Sequence, residues 1–156
     1  MYRYPDKDRR GFTLIELIVT VTIIAILVGM AVPLTRNTIK RERETELRNA
    51  VHEIRIAIDK FKEASDKGQI QQTLDGGGYP VKLQDLVDGV PQVGQVDRKL
   101  KFLRRIPKDP MTNSDEWGLR AYQDDPKVKS WGGQNVFDVY SKSDGTAMDG
   151  TKYSEW

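Results

Sequence analysis

The sequence contains no cysteine and only one histidine among its 156 residues. Without cysteine, the chain forms no disulfide and carries out no thiol chemistry. His52 therefore has no cysteine or second histidine at a spacing typical of a zinc site. Motifs of catalytic chemistry are equally absent, since no Gly-x-Ser-x-Gly, no phosphate-binding GKS/T loop and no HExxH occurs. These absences argue against an enzyme.

An excess of charge is also missing from most of the chain. The formal net charge is +2, and residues 1–11 account for all of it with four basic and two acidic side chains. The formally neutral remainder gives no electrostatic case for binding nucleic acid. Basic residues ahead of an apolar run instead predict a cytoplasmic N-terminus, with the bulk of the chain on the other side of a membrane.

That apolar run comprises residues 12–32 and contains one charge, Glu16. A helix of roughly 21 residues spans about 30 Å, the thickness of a bilayer core. A secretory signal peptide would be shorter and end in a small-x-small cleavage site, whereas Pro33 and Leu34 follow here. The run predicts a membrane-spanning helix, and a permanent single-pass anchor is one interpretation of it.

Glu16 favours a more specific interpretation. A carboxylate inside an apolar helix costs free energy unless it reaches water, pairs or is protonated. Glu16 lies about one helical turn after Phe12. A free amine at Phe12 would be a suitable partner, but it would exist only after cleavage between Gly11 and Phe12.

Gly11, Phe12 and Glu16, placed after a basic leader and at the start of a long apolar helix, resemble the N-terminal signal of type IV pilins and type II secretion pseudopilins. The resemblance implies that a prepilin peptidase cuts between Gly11 and Phe12 and methylates the new amine of Phe12. It also implies that Glu16 pairs with the N-terminal amine of a neighbouring subunit as a filament assembles.

Pro33 and Gly29 predict a weak point in the helix. Pro33 removes the hydrogen bond to the carbonyl of Gly29, and glycine itself disfavours helix. The family resemblance implies the same loosening before a proline at this position. The alternative is that Pro33 only marks where the helix leaves the bilayer.

Residues 34–65 predict an amphipathic continuation of the same helix, ending near residues 65–68. Apolar side chains recur there at spacings of three and four: Leu47, Ala50, Val51, Ile54, Ala57, Ile58 and Phe61. Charges of both signs on the other faces, among them Glu44, Arg48 and Arg55, predict a solvated surface, with contacts to neighbouring subunits as the alternative.

The remainder predicts a small mixed domain. Residues 81–87 indicate a short helix, residues 89–95 a loop, and residues 99–105 a strand or turn that packs Phe102 and Leu103 against the long helix. Residues 117–123 and 134–141 alternate like strands, with Trp117, Leu119 and Ala121 on one face of the first and Phe137 and Val139 on one face of the second. One antiparallel sheet on the amphipathic half of the helix would bury both apolar faces.

Three segments of this domain resemble the major pseudopilin of type II secretion systems. They are Tyr79-Pro80 with residues 83–87, residues 104–110 with Trp117-Gly118, and residues 137–145 with the final Trp156. Residues 111–116 are inserted relative to the pattern of that family.

Residues 141–150 combine short oxygen-bearing side chains with glycine, which suits either calcium or two ordinary Asp-Gly turns. The resemblance to the major pseudopilins implies calcium. Asp144 and Asp149 would be the charged ligands, and oxygen atoms around Ser141 and Ser143 would complete the shell. The loop is shorter than in the family, and Asp149 lacks an adjacent acidic residue.

We therefore expect an α+β, ladle-shaped pilin fold: a cleaved leader (1–11), an assembly helix (12–33), its amphipathic continuation (34–65) and a loop and sheet domain (66–156). The expected function is that of a major pseudopilin, a structural subunit of a periplasmic filament that drives export of folded proteins across the outer membrane. Expected partners are further copies, minor pseudopilins, an inner-membrane assembly platform with its ATPase, and the prepilin peptidase. The alternatives are a type IV pilus subunit and a plain membrane-anchored binding domain.

Overall fold

The computed structural model describes residues 11–71, 76–125 and 130–156, without the side chains of residues 30–36 and 96–97. In these residues the elements are, in chain order, α1 Leu14–Asp66, α2 Asp85–Asp88, β1 Val90–Gln92, β2 Gln95–Leu100, β3 Gly118–Arg120, β4 Asp138–Tyr140 and a 3-10 turn Tyr153–Glu155. The strands form two antiparallel pairs, β1 with β2 and β3 with β4. The predicted α+β class is confirmed, although the strands form two small sheets rather than one.

The chain divides into two compact units, the second of which is Lys40–Trp156. α1 passes through both units. In the first unit the described apolar side chains are exposed, whereas the second unit contains a hydrophobic core.

Local capping explains both ends of α1. At its start, the side-chain hydroxyl of Thr13 accepts a hydrogen bond from the amide of Glu16 at 3.3 Å. At its end, the amide of Gln69 donates to the carbonyl of Ala64 and that of Gly68 donates to Ser65, both at 2.9 Å. Gly68 adopts φ 66°, so this pair of bonds is a Schellman motif with glycine in its left-handed position. The helix ends at Asp66, within the predicted range.

The apolar stripe of α1 forms one side of the core. Its seven predicted residues are all buried, with Leu47 and Ile54 completely so. The opposite side of the core comes from the rest of the second unit: Ile70, Leu83, Leu86, Leu103, Trp117, Val136, Val139, Ala147 and Tyr153. Burial of a helix face of this kind is the main source of helix stability in a folded protein.

The region after α2 differs from the prediction. Residues 89–95, expected to be a loop, form β1 and the turn of a hairpin that continues into β2. Gly94, with φ 81°, provides the turn that permits it. The hairpin is tied to the end of α1, because the amide of Val93 donates to the carbonyl of Gln69 at 2.8 Å. α2 itself begins at Asp85, four residues later than the predicted short helix, residues 81–87.

Residues 99–105 pack as predicted. The centre of the Phe102 ring lies 5.2 Å from the centre of the Phe61 ring on α1, and Leu103 is buried. The amides of Phe102 and Leu103 both donate to the carbonyl of Leu86, at 3.0 and 2.9 Å. These bonds fasten the segment to the core through its backbone as well as through its side chains.

The pairing of β3 with β4 confirms the predicted hairpin, with Gly118 opposite Tyr140. A side chain at position 118 is excluded, since a Cβ there would lie 2.3 Å from the ring of Tyr140. The predicted alternation in the second strand is wrong at one position. Phe137 was expected to share a buried face with Val139, but it is 41 % exposed.

Candidate functional site: an exposed helix and a clamped C-terminal segment

The first half of α1 has an exposed apolar surface. Every described large apolar side chain from Phe12 to Val28 is between 48 and 80 % exposed. Its threonines are satisfied locally, since the hydroxyl of Thr20 donates to the carbonyl of Leu17 at 2.9 Å and that of Thr22 donates to Ile18 at 2.7 Å. The surface is therefore apolar on all sides, which in a folded protein marks a binding surface.

Glu16 lies in the first turn of this helix and is exposed. Within the described part of the chain, its carboxylate has no hydrogen-bond donor and no ion-pair partner. A charge in an apolar surface is stable where water or a group of opposite charge reaches it. The position agrees with the predicted pairing of Glu16, which stays a prediction.

Gly11 and Phe12 precede the helix and are both exposed, and the predicted cleavage lies between them. The predicted leader occupies residues 1–11, of which residues 1–10 lie outside the described residues.

α1 continues through Gly29 and Pro33 without a break in its assignment. The side chain of Pro33 lies outside the described residues, so the predicted weak point stays a prediction. Among the described residues, no helix combines the length and apolar character required to cross a membrane.

The predicted calcium residues occupy a well-connected loop. Ser141 is buried, and its hydroxyl donates to a carboxylate oxygen of Asp109 at 2.6 Å. The amide of Ser143 donates to the hydroxyl of Ser141 at 3.1 Å. Asp144 and Asp149 are both exposed. Within the described residues, no three acidic, histidine or cysteine side chains lie close enough together to hold a metal ion.

Asp149 already has partners in the protein. One carboxylate oxygen accepts hydrogen bonds from the amide and hydroxyl of Thr151, at 2.9 and 2.6 Å. The other lies 3.5 Å from the guanidinium group of Arg48. The hydrogen bonds from Thr151 have the larger effect on the carboxylate and the charge of Arg48 the smaller. Together they lower the pKa of Asp149 and keep it ionised.

Three charged side chains of α1 hold the C-terminal segment to the helix: Glu44, Arg48 and Arg55. We call these three residues the C-terminal clamp. Arg55 donates to both carboxylate oxygens of Asp138, at 2.6 and 3.2 Å, and to the carbonyl of Trp156 at 2.5 Å. The guanidinium group of Arg48 lies 3.7 Å from the centre of the Trp156 ring. The predicted solvated surface therefore holds for Arg48, which is exposed, and is wrong for Glu44 and Arg55, which are only partly exposed.

Glu44 is the clamp residue nearest the start of α1. One of its carboxylate oxygens accepts a hydrogen bond from the amide of Met148 at 2.9 Å and another from the hydroxyl of Tyr153 at 3.0 Å. Burial, and then this hydrogen bond, raise the pKa of Tyr153 to about 12. Apart from the charges themselves, no sequence pattern indicated the clamp, because the partners of Glu44 lie 104 and 109 residues away.

Comparisons with known proteins agree with the position of the exposed helix. Residues 6–32 match the family described as the prokaryotic N-terminal methylation motif. The type II secretion system core protein G of Escherichia coli (strain K12) is 30 % identical over 119 residues, which cover 71 % of this chain and 72 % of the relative. The chain belongs to the type II secretion system core protein G family.

Two further members are similar over a longer range. Core protein G of Klebsiella michiganensis is 29 % identical and that of Pseudomonas aeruginosa 28 % identical, each over 86 % of this chain and 83 % of the relative. No solved structure matches the chain significantly. The family and the methylation motif give this chain the role of a major pseudopilin in type II secretion. This result favours the expected function over a type IV pilus subunit and over a plain anchored domain.

Proposed function

We propose that the chain is the structural subunit of a periplasmic filament whose growth drives export of folded proteins across the outer membrane. The supporting observation is the first half of α1, whose described apolar side chains are exposed on all sides and surround Glu16, which has no partner among the described residues. Packing of such helices side by side would keep this surface out of water once the subunit leaves the bilayer, where exposure would cost about 25 cal/mol per Å² of apolar area. The role is structural and not catalytic.

Before assembly, the subunit spans the bacterial inner membrane once, with its N-terminus in the cytoplasm and the Lys40–Trp156 unit in the periplasm. The basic leader supports this orientation. The prepilin peptidase removes residues 1–11 and methylates Phe12. Glu16 then neutralises the N-terminal amine of an adjacent copy, which sets the register between neighbouring helices.

The partners follow from the same proposal. They are further copies of the chain, the minor pseudopilins, and an inner-membrane assembly platform with its ATPase, since the sequence has no phosphate-binding loop of its own. Nucleic acid is not a partner, because the chain beyond the leader carries no net charge.

The intact mass of the chain purified from its native membrane tests this proposal directly. We expect a mass that begins at Phe12 and includes one additional methyl group. A mass that begins at Met1 would show that residues 12–32 are a plain anchor, and the filament subunit would be ruled out.

We also propose that residues 141–150 bind calcium through the carboxylates of Asp144 and Asp149. The low pKa of Asp149 supports this, because calcium requires an ionised ligand. The hydroxyl of Ser141 is bonded to Asp109, so Ser141 and Ser143 would contribute carbonyl oxygens. An ion would also have to compete with Arg48 and Thr151 for Asp149.

The melting temperature of the full chain in detergent, measured with and without calcium, tests this site. We expect calcium to raise it for the natural chain and not for Asp144→Asn. Asp115→Asn, which removes an exposed carboxylate elsewhere, is the control and should keep the full shift. Equal shifts in both variants, or none in the natural chain, would rule out the site.

A further inference from the structure

Residues 98–108 form a basic segment with six cationic side chains and no acidic one. All six are exposed: Arg98, Lys99, Lys101, Arg104, Arg105 and Lys108. Within the described part of the chain, none of them forms an ion pair or a side-chain hydrogen bond. This distinguishes them from Arg48 and Arg55 in the C-terminal clamp, whose charges have partners.

The backbone beneath these cations is held in place. Phe102 packs against Phe61, Leu103 is buried, and the carbonyl of Pro107 accepts a hydrogen bond from the indole of Trp117 at 2.9 Å. The basic segment therefore presents its charges from a fixed backbone, which reduces the entropy lost when a partner binds.

The rest of the chain has the opposite charge. Beyond the leader there are 21 basic and 21 acidic residues, and removal of the six in the basic segment leaves 15 basic against 21 acidic. Two copies therefore attract each other when the basic segment of one faces another part of the next. A second copy is thus a partner of suitable charge.

An aromatic surface in the same unit offers ring faces for such cations; it consists of Tyr79, Tyr122, Trp131 and Phe137. The rings of Tyr79, Tyr122 and Phe137 contact one another, with centres 5.3 to 5.9 Å apart. Tyr122 is 65 % exposed, and Phe137 and Trp131 are 41 and 38 % exposed. Exposed aromatic clusters of this kind are typical centres of protein interfaces.

Buried polar groups hold the aromatic surface in place. Asn135 is completely buried, and its side-chain oxygen accepts from the amide of Tyr122 at 3.0 Å while its carbonyl accepts from the indole of Trp131 at 2.7 Å. A carboxylate oxygen of Asp124 accepts from the amides of Ala121 and Gly132, at 2.8 and 3.1 Å. The rings are therefore positioned before any partner binds.

We propose that the basic segment of one copy docks onto the aromatic surface of the next copy, with the guanidinium groups of Arg104 and Arg105 stacked on its rings. The inference rests on the proposed filament, for which it names one interface. Two different surfaces of one chain meet in this contact, and repetition of such a contact generates a helical array.

Contacts between an arginine and an aromatic ring already occur within one copy of the chain. Arg48 lies 3.7 Å from the ring centre of Trp156, and Arg120 lies 4.5 Å from that of Tyr140. Among the described residues, no hydrogen bond, ion pair or ring contact joins the basic segment to the aromatic surface within one copy. Lys62 already lies 5.5 Å from the ring centre of Tyr79, so Tyr122, Trp131 and Phe137 are the rings that remain available to a second copy.

Crosslinking of cysteine variants of the full-length chain, produced together with a type II assembly apparatus, tests the proposal. The absence of native cysteine makes each introduced thiol unique. Gln134→Cys borders the aromatic surface and Lys101→Cys lies in the basic segment, so both leave the stacking residues intact. The two variants carry different tags, are mixed during assembly and are treated with a short reagent that joins two thiols.

We expect a crosslinked product that contains both tags in filaments, and none when Lys142→Cys replaces Lys101→Cys. Filaments without this product, or an equal yield with Lys142→Cys, would overturn the docking proposal and leave the proposed function intact. Failure of the natural chain to form any filament would instead count against the proposed function.

Charge reversal gives a second measurement. Arg104→Glu combined with Arg105→Glu should reduce filament yield by at least about tenfold, the loss that corresponds to one moderate interface contact. Lys67→Glu also reverses an exposed charge and should leave the yield unchanged, because its partner is Glu63 on the same helix rather than a second copy. Equal losses in both variants would contradict a specific role for the basic segment.

Discussion

The two halves of α1 carry similar apolar side chains but differ in where those side chains lie. Ile24, in the first half, is 59 % exposed, whereas Ile54, in the second, is completely buried. The second half has an apolar stripe on one side, which the sheets and loops of its own unit cover. The first half is apolar on all sides, and a partner on one side could not cover it. It therefore requires surroundings supplied by a membrane or by other copies.

The charged side chains of the two halves also differ in whether they have partners within the subunit. Glu16 has no partner within the described chain, whereas Glu44 and Arg55 hold the C-terminal segment. The second half thus stabilises the subunit, whereas the first half leaves its described large apolar side chains exposed.

The largest expected effect is that of Glu16→Ala on assembly. Loss of one partner of a charge pair in apolar surroundings costs on the order of 3 kcal/mol, so filament yield should fall by about a hundredfold while the amount of chain in the membrane stays constant. Glu46→Ala, which removes an exposed carboxylate from the second half, is the control. The yield is measured by electron microscopy of filaments released by cell lysis, and normal filaments from Glu16→Ala would disprove the pairing.

Truncation of one isoleucine in each half tests the comparison itself. Ile54→Ala should lower the free energy of unfolding by about 2–5 kcal/mol, because it leaves a cavity in the core. Ile24→Ala should leave that value unchanged and reduce filament yield. Denaturant unfolding of the full chain in detergent, followed by fluorescence of the three tryptophans, measures both. Similar unfolding curves for the two variants would contradict the distinction between the halves.

A smaller effect is expected from the C-terminal clamp. Arg55→Ala removes hydrogen bonds to Asp138 and Trp156 and should cost about 1.5–3 kcal/mol, the range for bonds to charged groups. Lys67→Ala breaks an exposed ion pair with Glu63 on the same helix and should cost less than about 1 kcal/mol. Hydrogen exchange should show faster opening of residues 138–156 in Arg55→Ala alone. Equal costs would mean that the clamp contributes no more than a surface pair.

The smallest effect concerns alkaline pH. The pKa of Tyr153 is raised to about 12, so its folded state favours the neutral phenol. This contribution to stability is complete below the ordinary pKa near 10 and is lost as the pH rises through 12. Tyr153→Phe should therefore lose less stability than the natural chain between these values. Thermal unfolding at a series of alkaline pH values measures the difference, and identical slopes for the two chains would contradict the shift.

The apolar stripe of α1 was predictable because a helix repeats every 3.6 residues, and all seven positions from Leu47 to Phe61 proved buried. The hairpin of β1 and β2 was missed because its turn, Val93-Gly94, lies in a segment with little strand pattern. Phe137 was misassigned because a three-residue strand is too short for alternation to determine which side chain is buried.

By itself, the sequence determined the long helix, its apolar stripe, the α+β class and the family signal at Gly11, Phe12 and Glu16. These depend on periodicity and on short motifs, which are local in the chain. Only the tertiary structure decided which charges of α1 are partners within the subunit. The contacts of Arg55 span 83 and 101 residues, and no local pattern encodes a pairing over that separation. The same is true of the aromatic surface, whose rings come together from three separate loops and strand ends only once the core has formed.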